Sequence, residues 1–283
     1  SVPLSQHVGA AARAVVKVGD HVLRGQVVAE AVGNISAPVH APTSGLVVEI
    51  GEAVMPHPSG LADLAVYIRP DGLDQWVPLH PELYPINLAS DELARRVAAA
   101  GVVGLGGATF PSAVKLALGS RSKVDTLILN GSECEPYLSC DDRLMREHAL
   151  EIIEGARLIL KATGAVRPLV GIEDNKPEAI SAMKVAAHPF PEVSVVKVPS
   201  RYPMGADRQL IQTLTGIEAP ADGRAADVGI VVHNVGTAYA VYRALRYGEP
   251  LTERVVTVAG GAVKSPRNLR VRIGTPLSWL FER

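Results

Sequence analysis

The sequence predicts an α/β fold preceded by a smaller all-β unit, and three observations carry that prediction. Between about residues 80 and 250, short apolar runs alternate with polar loops and helical patterns. Residues 1–79 hold only short apolar stretches broken by Gly and Pro, with no helical period. A third segment, 251–283, opens on two further strand-like runs and leads into a short helical pattern.

In the first segment, Val15 to Val18, Val27 to Ala31 and Leu46 to Ile50 read as strands. Gly19-Asp20, Gly33-Asn34 and Ser44-Gly45 read as the turns between them. "VKVGDHVLRGQVV" followed by "APTSGLVVEI" resembles the biotinyl/lipoyl-type barrel-sandwich domain. In carriers of that type a hairpin lysine is modified. The corresponding stretch here, "EAVGNISAPVHAPTSG", has none, and Lys17 is the only lysine before residue 100. The unit therefore reads as structural rather than as a carrier.

A polar, Pro-rich passage follows and reads as a linker. It ends at Ser90, whose hydroxyl suits an N-cap, before a helix "DELARRVAAAG" stopped by Gly101. Strands are then expected at Thr126 to Leu129, Leu169 to Ile172, Val193 to Val198 and Val228 to Val232. "KPEAISAMKVAAH" and "GTAYAVYRALRYG" carry helical periodicity. Strand–loop–helix repetition implies βαβ units and a largely parallel, Rossmann-like sheet. In such sheets ligands bind beyond the carboxyl ends of the strands. "ERVVTVAGGAV" and "NLRVRIG" predict two last strands, and "TPLSWLFER" a helix that looks like the beginning of a domain. With Ser1 in place of Met, that ending predicts a piece of a longer protein.

Composition narrows the function classes. With 283 residues, 47% of them hydrophobic, the chain can bury a sizeable core. A net charge of −1 and 4% aromatics give neither the basic footprint nor the stacking surface expected for nucleic acid. No apolar run reaches the roughly 18 residues of a membrane span. No signal peptide pattern opens the sequence, so the expected address is cytoplasmic. Cys134 and Cys140 read as reduced thiols, since an iron–sulfur cluster usually takes about four thiolates.

The stretch "GVVGLGGATFPSAVK" (101–115) is the most informative. It is not a dinucleotide fingerprint: no strand precedes it, and Thr109 takes the place of the third glycine. Pro111 suits the first position of a helix "PSAVKLAL". Gly104, Gly106 and Gly107 then lie just before a helix N-terminus, where backbone N–H groups favour an anion. Lys115 adds a positive charge one turn in. A tight connector explains the same glycines equally well. Three further loops lie at the same expected sheet edge: "NGSECEPYLSCDD" with Asn130, Ser132, Glu133 and Glu135, "PSRYPMGADRQL" with Tyr202 and Gly205, and "HNVGTAYA" with Asn234 and Thr237. Together with the glycine stretch they outline a flavin or nucleotide pocket.

Five collinear motifs, "GVVGLGGATFPSAVKL", "DTLILNGSECEPYLSCDDRLM", "GIEDNKPEAI", "RYPMGADRQLIQTLTG" and "VVHNVGTAYAVYRA", resemble the C subunits of Rnf complexes. Those are membrane-bound, ion-translocating ferredoxin:NAD oxidoreductases. The middle segment is also similar to the NADH-binding flavoprotein of respiratory complex I. The resemblance implies an FMN/NADH-binding domain at 80–250 and the start of a β-grasp domain at 251–283. It places Gly104, Gly106, Gly107 and Lys115 on FMN, with Asn130, Ser132, Glu133, Tyr202, Gly205, Asn234 and Thr237 completing the pocket. Phe110 would stack on the NADH adenine, with Glu133 and Glu135 near the nicotinamide. No catalytic acid or base and no metal ligand is implied. Leu105, Thr109, Ser132, Ala206-Asp207 and His233 depart from the complex I pattern.

The implied function is hydride exchange between NAD(H) and FMN in an electron-transfer subunit, peripheral on the cytoplasmic side of the inner membrane. Its partners would be the other subunits of the membrane complex. Two [4Fe–4S] clusters would belong to sequence beyond Arg283. The alternatives are a cobalamin-reductase-type flavoprotein, a carrier-like docking module and a scaffold without flavin.

Overall fold

The computed structural model describes residues 1–55, 59–117 and 123–282. Two small antiparallel sheets build the N-terminal unit. One has the order β1 (Val2–Pro3), β7 (Ala62–Pro70), β6 (Gly45–Val54), β3 (His21–Val22). The other pairs β2 (Arg13–Ala14), β4 (Val27–Glu30) and β5 (Val39–His40) in that order. Val22, Val28, Val39, Val47 and Val66 meet between them in one buried cluster. These are β-branched residues that fit a pleated, half-buried surface.

The run Val15 to Val18 is not a strand. Pairing there involves Arg13 and Ala14 instead. The Asp20 carboxylate accepts the Lys17 N–H at 2.9 Å, turning the chain and leaving Val18 59% exposed. This is the local competition that Asp side chains offer to a ladder. Gly45, expected in a turn, opens β6.

The second unit is a four-stranded, wholly parallel sheet of β8 (Thr126–Gly131), β9 (Arg167–Glu173), β10 (Ser194–Val198) and β11 (Ile230–Asn234). Its order is β10-β9-β8-β11. Alternate residues of β8, β9 and β11 enter different cores. Leu127, Leu129, Val170, Ile172 and Val231 join one cluster with α1 (Ser90–Ala99), α4 (Ala149–Thr163), α5 (Pro177–Ala187) and α7 (Val235–Tyr247). Ile128, Leu169, Ile230 and Val232 join the other, with Leu210 and Ile211 of α6 (Asp207–Thr215). Burial on both faces is why these strands read as continuous apolar runs. Each fully buried Leu or Ile contributes about 1.5–3 kcal/mol.

Gly155 allows α4 and α7 to pack at backbone distance. A Cβ there would lie 2.0 Å from the Ala238 carbonyl oxygen. Ser90 does not cap α1. It is the first helical residue after Ala89, and its hydroxyl donates to the Lys161 carbonyl at 2.9 Å. Likewise Pro111 precedes α2 (Ser112–Leu116) as its N-cap residue, pairing as an isolated bridge with Val103. Leu118, the last residue of that expected helix, lies outside the described residues. Val193 and Val228 fall just outside β10 and β11.

The last segment forms an antiparallel hairpin, β12 (Glu253–Val258) with β13 (Arg267–Arg272), followed by α8 (Leu277–Phe281). Arg24 of the N-terminal unit links it, donating to Asp74 at 3.1 Å and to Glu253 at 2.9 Å. Arg272 donates to the same Asp74 oxygen at 2.5 Å.

Candidate functional site

The sheet reverses its winding at β8. The chain proceeds outward through β9 and β10, then returns to place β11 on the other side. A crevice opens beyond the strand ends at such a switch point. Asn130, next to last in β8, and Asn234, which ends β11, stand in register there. Above them lies a cavity of about 600 Å³, within the range of ligand sites.

Residues 104–110 form a pinched loop over this crevice. The Val103–Pro111 bridge closes its base, and the Gly104 N–H donates to the Phe110 carbonyl at 2.8 Å. Gly107 has φ +114°, a conformation open to glycine, and a Cβ there would meet nothing within 4 Å. Thr109 sits at φ 46°, unusual for a β-branched residue.

Three parts of the molecule hold the loop from outside. The Thr237 hydroxyl accepts the Leu105 N–H at 2.9 Å. Arg254 of β12 donates to the Leu105 carbonyl at 2.5 Å. Val8 of the N-terminal unit donates its N–H to the Thr109 carbonyl at 3.3 Å.

Gly106, Gly107, Asn130, Ser132, Glu133, Glu135, Tyr202, Gly205 and Asn234 all line the cavity. Gly104, Phe110, Lys115 and Thr237 do not. Gly104 closes the loop and Thr237 anchors it from inside α7. Lys115 is largely buried, and its Nζ donates to the Val232 carbonyl of the edge strand β11 at 2.9 Å. Burial pushes its pKa down, against the field of Asp207. The reading of 101–115 as an anion site at a helix start changes accordingly. The helix α2 has only five residues, and the lysine serves the sheet edge.

The acidic wall is built by α3 (Cys140–Glu147). The Glu133 carboxylate accepts the Asp141 N–H at 2.8 Å and the Asp142 N–H at 2.9 Å. It thus caps the positive end of this helix from another element. Lys176 Nζ lies 3.8 Å from it.

Asp141 is only partly buried as a residue, while its carboxyl lies inside and accepts from Asn234 Nδ2 at 2.5 Å. Burial and then the nearby Glu133 carboxylate raise its pKa to about 7. Cys140, 3.4 Å from Glu133 through Sγ, is pushed up to about 12 by burial and by the Asp141 and Glu133 charges. Ligating atoms of Glu133, Cys140 and Asp141 lie within 4.8 Å of one another. The helix N–H groups already occupy the Glu133 oxygens, and the group reads as a cap rather than a metal centre.

Four arginines lie on the cavity lining: Arg24, Arg243, Arg254 and Arg270. Sequence reasoning missed them. They lie on separate elements, and nothing in their local sequence marks them as neighbours. Among the described residues no helix is long and apolar enough to cross a membrane.

The chain matches two domain families, the RnfC barrel sandwich hybrid domain over residues 1–73 and the Nuo51 FMN-binding domain over residues 97–243. It is 53% identical over 281 residues to the C subunit of an ion-translocating oxidoreductase complex of Rhodobacter capsulatus, covering 98% of this chain and 54% of that protein. A relative of the same description from Pseudomonas aeruginosa is 51% identical over 282 residues, covering 99% of this chain and 36% of the relative. The chain thus spans about half or less of these relatives. Among solved structures, an NAD+-reducing [NiFe]-hydrogenase in the H2-reduced state aligns with TM-score 0.59 at 23% identity, covering 70% of this chain and 39% of the other. That likeness is one of fold.

Proposed function

The chain belongs to the family of C subunits of Rnf-type ion-translocating oxidoreductase complexes, and from that premise we propose that its cavity binds FMN and exchanges hydride between the flavin and NAD(H). The observation that carries this reading is the cavity at the β8/β11 switch point, roofed by a glycine loop with open backbone. The residues present fit a flavin. The buried Ser132 Oγ and Tyr239 hydroxyl lack partners among the described residues, and both residues line the cavity. Such groups are costly unless something hydrogen-bonds to them.

FMN, when bound, supplies the hydride-accepting ring and the conversion of a two-electron donor into single-electron steps. The protein's part is positional. Asn234 is fixed by capping α7, its Oδ1 accepting the Gly236 N–H at 2.8 Å, and by its bond to Asp141. Asn130 donates to the Gly205 carbonyl at 2.8 Å and accepts the Ser132 N–H at 3.0 Å, tying two cavity loops together. Gly106 and Gly107 bring backbone close to the ligand. Glu135, exposed at the cavity wall, and Tyr202, 77% exposed, stand where an incoming nicotinamide would pass. Phe110 remains the proposed adenine contact.

Family membership supports a broader assignment, which belongs to the same proposal. Residues 1–79, 80–250 and 251–283 act as barrel-sandwich, flavin-binding and opening β-grasp units. Two [4Fe–4S] clusters in the longer protein pass electrons onward, and partner subunits hold it on the cytoplasmic face of the membrane. Titration of the chain with FMN, followed by stopped-flow mixing with NADH, tests the central reading. Flavin fluorescence quenched on binding and bleaching of the band near ~450 nm are expected. Absence of FMN binding would reject it.

A further inference from the structure

We propose that Arg254 is the cation that recognises the flavin's phosphate ester, the role the sequence suggested for Lys115. The proposal rests on the FMN reading above. The Lys115 ammonium is engaged by the Val232 carbonyl and does not line the cavity. Of the cavity arginines, Arg24 pairs with Asp74 and Glu253, Arg243 with Glu249, and Arg270 lies 3.6 Å from Glu253. Arg254 alone has no carboxylate within ion-pair distance among the described residues.

Among the described residues its side chain makes one hydrogen bond, to the Leu105 carbonyl of the glycine loop. A guanidinium carries five donors in a fixed fork that matches phosphate oxygens. The remaining donors therefore lie beside Gly106 and Gly107, both exposed on the lining. Glycine at these positions lets an anion reach backbone and arginine together. The bond to Leu105 fixes the fork before any ligand arrives, which lowers the entropy cost of binding. Glu133 and Asp141 also line the cavity, and the Arg254 charge acts on the Asp141 carboxyl without pairing with it.

The test compares FMN, riboflavin and ADP-ribose binding to the 283-residue chain and its Arg254→Gln and Arg254→Lys variants. Riboflavin lacks the phosphate, and ADP-ribose carries the pyrophosphate of a dinucleotide. Arg254→Gln should weaken FMN about tenfold or more, as loss of a charge-assisted bond does. Riboflavin and ADP-ribose should change by less than about threefold, because Thr237 and Val8 still hold the loop. Arg254→Lys, which keeps the charge but not the fork, should fall between. Should Arg254→Gln fail to fold, the lysine variant alone decides by whether its loss is confined to FMN.

Equal loss of FMN and riboflavin would make Arg254 a loop brace and overturn the proposal. Loss confined to ADP-ribose would move the phosphate to the dinucleotide and overturn it too. Failure of the unsubstituted chain to bind either flavin would reject the FMN reading itself.

Discussion

Asn234 Nδ2 donates to Asp141 Oδ2 at 2.5 Å, so one asparagine both caps α7 and grips a buried carboxyl of α3. The bond favours the charged carboxylate, yet burial and Glu133 outweigh it and the pKa rises to about 7. The folded state consequently binds a proton that the unfolded chain releases near pH 4. Stability falls as pH rises from about 4 to about 7, and the cost is full above that.

Asp141→Asn keeps an acceptor for Asn234 and removes the titration. We expect it to match the unsubstituted chain near pH 4–5 and to exceed it above pH 7 by on the order of 2–4 kcal/mol. Urea midpoints measured across that range check this. A difference that does not change with pH would place the strain elsewhere.

The buried imidazoles act in the other direction. Burial lowers His233 to about 3 and His40 to about 4. Their neutral forms stabilise the fold above about pH 6.5, and this contribution is lost as pH falls below that value. His40→Gln should therefore unfold at a lower pH than the unsubstituted chain does, followed by far-UV circular dichroism.

Cys140 should be inert. With its thiol pushed up to about 12, its thiolate fraction at pH 8 is about a thousandfold below that of an ordinary cysteine. Iodoacetamide mass mapping of the native chain should leave Cys140 unlabelled over hours and label it at once in denaturant. Rapid native labelling would contradict the Glu133 contact.

Gly155→Ala would put a methyl into the Ala238 carbonyl. The gain in helix propensity is about 1 kcal/mol, and the overpacking cost is about 1–3 kcal/mol or more. A net loss in Tm of several degrees is expected. Gly107→Ala meets no atoms, so its penalty should be confined to backbone strain of about 1 kcal/mol.

Lys115→Met and Lys115→Glu separate burial from charge. Methionine fills the same space and removes a desolvated ammonium, leaving the Val232 carbonyl without its donor. Its net effect should stay within about 1 kcal/mol. Glutamate sets a carboxylate against that carbonyl and should cost about 3 kcal/mol or more, read from chemical denaturation.

Much of the sheet was legible because its strands are buried on both faces and carry unbroken apolar runs. The sequence placed the ends of these strands at Leu129 and Val232, two residues short of Gly131 and Asn234, because the polar asparagines read as loop although they still pair in the sheet. The missed features depend on distant partners. Lys115 looks like a phosphate ligand from its spacing, but its destination is an edge carbonyl 117 residues away. Leu105 and Arg254 are separated by 149 residues. Ser90 has the chemistry of a cap, and only the tertiary approach of α4 explains why its hydroxyl turns to Lys161 instead. Val15 to Val18 has strand composition, and one aspartate bond redirects it.

The hairpin contact also sets a schedule. A chain made from its N-terminus completes the barrel-sandwich and the parallel sheet before residues 253–272 leave the ribosome. Until then the glycine loop has Val8 and Thr237 but not Arg254, and Arg24 has Asp74 but not Glu253. The nascent protein therefore presents its finished cavity only once this hairpin is made, after the folding of the domain that surrounds it.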